Sequence, residues 1–195
     1  MRRATFLDVL LSVLLAVTIM VVHPALCAAQ VAERPSLPAL VLLVRHAEKA
    51  AEPADDPPLT AAGAARAQAL AAALQDAGVT AIITTQLRRT RETAQPLATV
   101  RGLTPEVVPV RRGEGEAHAA AVAAAVRRHA GGVVLVAGHS NTVPAIIAAL
   151  GGPRLPDICE SVYANLFVLV PGAGEVRLVR SRYGAADPEP GPECK

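Results

Sequence analysis

The chain has 195 residues, 52% of them hydrophobic and 2% aromatic, with a formal net charge of +2. That length suits one domain with a substantial core, and the composition makes the core aliphatic. Lys49 and Lys195 are the only lysines. With no basic run, no aromatic platform and no nucleic-acid motif, no nucleic-acid partner is expected.

The N-terminal segment differs in kind from the rest. "MRR" supplies positive charge, Val9–Val22 an apolar stretch, and "HPALCAAQ" a helix-breaking Pro24 followed by small residues. This order reads as a secretory signal peptide, residues 1–29, cut after Ala29. An uncleaved anchor is the alternative, but the apolar run is short for a membrane span. A lipoprotein reading on Cys27 meets an oversized Leu26 before it. Cleavage leaves no membrane anchor and a periplasmic or secreted protein. It also leaves two cysteines, Cys159 and Cys194, which either bridge in an oxidising compartment or stay as thiols. No cysteine has metal-ligand spacing, so no metal is expected.

A Pro-containing linker (residues 30–38) leads into a domain at 39–183, followed by a polar, Pro-rich tail at 184–195. "ALVLLV" (39–44) is a continuous apolar run, the signature of a strand buried on both faces. Thr60 caps an alanine-rich helix running to about Ala77, stopped by Gly78. "TAIITT" (80–85) is a second strand, and a helix from about Arg88 to Val100 ends at Gly102. "EVVPV" (106–110) is a peripheral strand, since Pro109 cannot donate to a central ladder. A helix over about Glu116–Ala130 follows, with His118 and His129 expected to be exposed. Next come the buried strand "VVLVAG" (133–138) and the helix "VPAIIAAL", which Ser140, Asn141 and Thr142 are placed to cap. "ANLFVLV" and "EVRLVRSR" read as a terminal hairpin. The pattern predicts an α/β three-layer sandwich with a mostly parallel sheet and a C-terminal antiparallel hairpin.

In open α/β sheets, ligands bind beyond the carboxyl ends of the strands. There the sequence supplies Arg45 and His46 after the first strand, Arg88, Arg89 and Arg91 after the second, Glu114 and Glu116 after the third, and His139 after the fourth. This inventory fits phosphoryl transfer. Arginine matches phosphate oxygens with a planar fork of donors. A neutral imidazole can attack phosphorus, and a second, protonated histidine can stabilise the equatorial oxygens. A carboxylic acid can protonate the leaving alkoxide and then activate water. Glu48 and Lys49 are read as an ion pair or as pocket rim, Arg88 and Arg91 as surface groups, and Asp55 and Asp56 as a turn within reach of the site.

These blocks resemble the histidine phosphatase superfamily, whose fold is the phosphoglycerate mutase-like α/β sandwich. The family's Arg-His-Gly stands here as "RHA" (Arg45–Ala47), its Leu-Thr-x-x-Gly as "LTAAG" (Leu59–Gly63), its second-arginine block as "TQLRRTRETA", and its Gly-His block as "AGHSNT". Ala47 departs from the usual glycine, as in the "RHAE" group that resembles small bacterial phosphohistidine phosphatases. The resemblance implies His46 as nucleophile and Arg45, Arg89 and His139 as the phosphate pocket. Glu114 is the candidate acid, with Glu116 as understudy, and Asn141 a candidate substrate contact. It implies no cofactor, and a small phosphorylated substrate as partner. A phosphomutase of the same superfamily and an inactive phosphate-binding module are the alternatives. The sequence leaves the substrate and the oligomeric state open.

Overall fold

The computed structural model describes residues 38–171, 175–189 and 194. The proposed signal segment and nearly all of the linker lie outside them. No helix among the described residues is long and apolar enough to cross a membrane.

The elements run β1 (Leu40–Arg45), α1 (Ala61–Leu74), β2 (Val79–Thr84), α2 (Arg88–Arg101), β3 (Glu106–Val107), α3 (Gly115–Arg127), β4 (Val133–Gly138), α4 (Thr142–Ala149), β5 (Asn165–Val170) and β6 (Arg177–Arg182). They form a six-stranded sheet in the order β3-β2-β4-β1-β5-β6. β1 to β4 are mutually parallel, β5 pairs antiparallel with β1, and β6 pairs antiparallel with β5. The expected mixed sheet and terminal hairpin are both present. β3 keeps only two residues at the edge, shorter than the 106–110 run expected.

Alternation along each central strand divides the core between the two faces. Val41, Leu43, Ile83, Val134 and Val136 pack with Val122, Val126, Ile146 and Ile147 of α3 and α4. Leu42, Val44, Ile82, Leu135 and Ala137 face the other way, against Leu70 and Leu74 of α1 and Leu97 and Ala98 of α2. His118 is a correction to the reading of an exposed helix residue. It is buried, with Nδ1 donating to the Pro109 carbonyl at 3.0 Å. It stands one turn before Val122 and two before Val126, so it belongs to the helix's inward stripe.

The start of α1 fixes the segment that leaves β1. The Thr60 side chain caps α1 by accepting from Gly63 N at 3.1 Å, while Thr60 N donates to the Glu48 carbonyl at 2.9 Å. Gly63 permits this approach, because a Cβ there would stand 2.2 Å from the Glu48 carbonyl oxygen. Nearby, Arg66 is buried against the Glu48 carboxylate and the carbonyls of Tyr183 and Ala185. In the segment before β5, Cys159 is joined to Cys194 in a disulfide, with Cα atoms 5.4 Å apart.

Gly63→Ala should therefore destabilise the domain by about 1–3 kcal/mol, the usual range for overpacking, read as a lowered midpoint in urea denaturation.

Candidate active site

The parallel ladder between β1 and β4 sets Arg45 opposite Gly138. The next residue of each chain, His46 and His139, therefore leaves the sheet beside the other. His46 N closes the ladder on the Gly138 carbonyl at 2.9 Å, and the two rings lie 5.4 Å apart, inclined at 63°. On the far side of β4, Thr84 stands opposite Ala137. This brings Thr85 to the same edge, where its Oγ1 lies 3.2 Å from His139 Nε2. α2 begins at Arg88 and carries Arg89 in its first turn. It is tied to the end of β1 through Thr93, which receives Ala47 N at 2.9 Å and donates to the Arg89 carbonyl at 2.6 Å.

His46 Nδ1 lies 2.8 Å from the Ala47 carbonyl. A carbonyl only accepts, so Nδ1 carries the proton and Nε2 keeps its lone pair. Burial lowers the pKa of His46 to about 4; the Ala47 bond opposes the shift, and the Arg45 and Arg89 charges add to it. His139 is lowered to about 3, again by burial first, then by His46 and Arg89. With these neighbours both rings are neutral at physiological pH, whereas the sequence reading took the second histidine as protonated. Burial accounts for most of that difference, and the two guanidiniums add to it by favouring the uncharged ring.

Arg45 is 1% exposed. Its Nη1 donates to the carbonyls of Cys159, Glu160 and Val162 at 2.8, 2.9 and 3.1 Å. Its Nη2 donates to the Glu160 carboxylate, and the guanidinium stacks 4.3 Å from the centre of the Tyr163 ring. The other Glu160 oxygen accepts from the Ser140 hydroxyl at 2.7 Å. Three buried nitrogens stay without a partner in this neighbourhood: Arg45 Nε, Arg89 Nε and His139 Nδ1. An unsatisfied buried polar group costs about 1–3 kcal/mol. Unmet nitrogens of this kind suit oxygen atoms bearing negative charge. A cleft of about 890 Å³ opens on His46, Arg89 and His139, with Lys49, Arg111, Asn141 and Glu160 also on its wall. Among the described residues, no group of three or more His, Cys, Asp or Glu is placed to hold a metal ion.

The sequence model of the histidine phosphatase superfamily, branch 1, matches residues 41–111, the span that holds Arg45, His46 and Arg89. Over that span the chain carries the sequence pattern of the histidine phosphatase superfamily. Among solved structures, SixA from Agrobacterium tumefaciens, described as a candidate phosphohistidine phosphatase, is 26% identical. It covers 77% of this chain and 100% of its own, with a TM-score of 0.55. The protein histidine phosphatase SixA complexed with tungstate shares the fold at 18% identity and a TM-score of 0.58, over 73% of this chain and 96% of its own. Mycobacterial glucosyl-3-phosphoglycerate phosphatase does so at 18% identity and a TM-score of 0.56, over 76% and 99%. A comparison with curated protein sequences finds no match.

In this chain Arg45, His46, Arg89 and His139 come together at one sheet edge. Asn141 lines the cleft from the cap position of α4 but makes no side-chain cap. Thr142 instead accepts from His139 N at 2.9 Å, so the expected capping group supports the second histidine. Glu114 and Glu116 are exposed, and the cleft wall is formed by Gly113 and Gly115 rather than by either carboxylate. Glu48 pairs with Arg66, leaving Lys49 and Asp55 on the cleft wall. Asp56 accepts from Arg88 N at 2.8 Å, and the Arg88 side chain pairs with Glu92. The sequence reading missed Glu160.

The neutral histidines set a pH dependence of stability. Their folded pKa values lie below the ordinary 6.5, so between 6.5 and about 4 the unfolded chain binds protons that the folded protein refuses. Stability is present above that window and falls as the pH drops through it. Urea denaturation at a series of pH values should show a shallower fall for His139→Gln than for the wild type.

Proposed function

We propose that the protein is an exported phosphatase that hydrolyses phosphate monoesters through a phosphohistidine on His46. The observation that carries this reading is the set of unpartnered buried nitrogens, Arg45 Nε, Arg89 Nε and His139 Nδ1, at the sheet edge that also carries His46 with its free Nε2. A phosphoryl group supplies the acceptors those positions lack. Fold relatives solved with tungstate and with inorganic phosphate support a reading in which the fold binds an oxyanion.

In this mechanism His46 attacks as the neutral imidazole that its burial enforces. The Ala47 carbonyl holds Nδ1–H and so supports the positive charge that grows on the ring as the N–P bond forms. Arg45 and Arg89 hold the equatorial oxygens. The incoming dianion reverses the local electrostatics, and His139 takes up a proton as charge builds on those oxygens. Asn141 reaches the substrate from the start of α4. Export is supported by the order of charged, apolar and small residues at the N-terminus. A disulfide between Cys159 and Cys194 fits an oxidising compartment as well.

Three measurements test this reading. Rapid quenching with labelled substrate should trap an acid-labile, base-stable phosphoprotein that His46→Ala abolishes; label retained in that variant would refute the assignment. Arg89→Ala should lower kcat/KM by about 10²- to 10³-fold, as loss of a charge-stabilising donor does, with activity in the wild type surviving dialysis against EDTA. N-terminal sequencing of protein from a periplasmic extract should begin near Gln30, and an intact Met1 in the cytosolic fraction would count against export.

A further inference from the structure

The motifs leave one role without a settled residue, the proton donor to the leaving group, and the geometry points to Glu160 as that donor. This inference rests on the phosphatase reading above. Glu160 sits in the segment between α4 and β5, outside every motif. It reaches the site because β5 runs antiparallel to β1, so the residues before β5 arrive at the edge where β1 delivers His46.

The cleft wall carries two carboxylates, Asp55 and Glu160. Among the described residues, only Glu160 is bonded to members of the site: Oε2 on Arg45 Nη2, and Oε1 on the hydroxyl of Ser140, the neighbour of His139. Arg45 Nε, on the same edge of the guanidinium as Nη2, is unpartnered. A phosphoryl group that binds this edge with two parallel hydrogen bonds shares Nη2 with Glu160. The carboxyl group then stands beside the phosphorus centre, on the solvent side that the leaving group must occupy. Its side chain is 70% exposed, so it can exchange protons with water between turnovers.

The charges facing Glu160 are Arg45 at the end of β1, His46 after it and Arg89 from α2. Burial works to raise its pKa, but the Ser140 hydrogen bond and the Arg45 charge hold it below the ordinary glutamate value. A bound phosphate dianion claims the Arg45 charge and adds a like charge alongside. Both changes favour the protonated form, so the acid is generated by substrate binding. In the first step the His46 Nε2 lone pair forms the N–P bond, the P–O bond to the leaving group breaks, and its electron pair takes the Glu160 proton. In the second, Glu160 carboxylate takes a proton from the attacking water, and the N–P electron pair returns to Nε2.

The test compares glycerol 2-phosphate, an alkoxide donor, with p-nitrophenyl phosphate, whose phenolate departs unaided. Glu160→Gln should lower kcat on the alkyl ester by about 10²- to 10⁴-fold and much less on the aryl ester. The alkaline limb of the alkyl kcat profile should be lost with it. Phosphohistidine trapped from p-nitrophenyl phosphate in the same variant shows that its site is formed. Equal losses on both substrates would assign Glu160 to positioning Arg45 and overturn the proton-transfer role, as would wild-type rates on both. Glu114→Gln and Glu116→Gln are assayed alongside, and a leaving-group-selective loss in either would also overturn the proposal. Failure of the phosphatase reading itself would show separately, as wild-type protein that turns over neither ester or as label surviving His46→Ala.

Discussion

A guanidinium with 1% of its surface exposed keeps its charge inside a protein only if its donors are met. Arg45 meets that condition by gathering one short segment around itself: the carbonyls of Cys159, Glu160 and Val162, the Glu160 carboxylate and the Tyr163 ring. The segment has no regular secondary structure, so its backbone carbonyls need partners and the arginine needs acceptors. Each solves the other's problem. What remains of Arg45, its Nε, has no partner within the protein.

A second buried cation braces the first. Arg66 links α1 to Glu48, just beyond His46, and to the carbonyls of Tyr183 and Ala185 after β6. Asp187, 3.7 Å from Arg66, accepts from the backbone nitrogens of Tyr163 and Ala164 at 2.7 and 2.9 Å. The Arg45 segment is thus held at one end by Asp187 and at the other by the Cys159–Cys194 bond. The described residues after β6 therefore brace the segment that Arg45 gathers.

Much of this was legible from the residues. The run "LVLLV" before "RH" and "VVLVA" before "GH" marked two central strands, and one rule about strand ends then located Arg45, His46, Arg89 and His139. Glu160 escaped because that rule looks only after strands. For an antiparallel strand the residues before it reach the same edge, and the predicted terminal hairpin already carried that signal. His118 was misread for a different reason. An alanine-rich helix offers little contrast between its faces, so a four-residue spacing to Val122 and Val126 was outweighed by the polarity of one imidazole.

The arrangement also explains why neutral histidines and unsatisfied donors coexist at the same edge. Burial is the main reason both imidazoles stay neutral, and the charges of Arg45 and Arg89 add to it. For His46 this preserves a ring lone pair well below neutral pH. In the proposed mechanism His139 gains its charge only once an anion is bound. Leaving Arg45 Nε, Arg89 Nε and His139 Nδ1 without partners sacrifices stability in the free protein. That same deficit is the source of selectivity, because a ligand that restores all three contacts must present several acceptor oxygens at once. Water offers single acceptors and a carboxylate offers two in one plane. A tetrahedral phosphoryl group presents three outside the bond being broken.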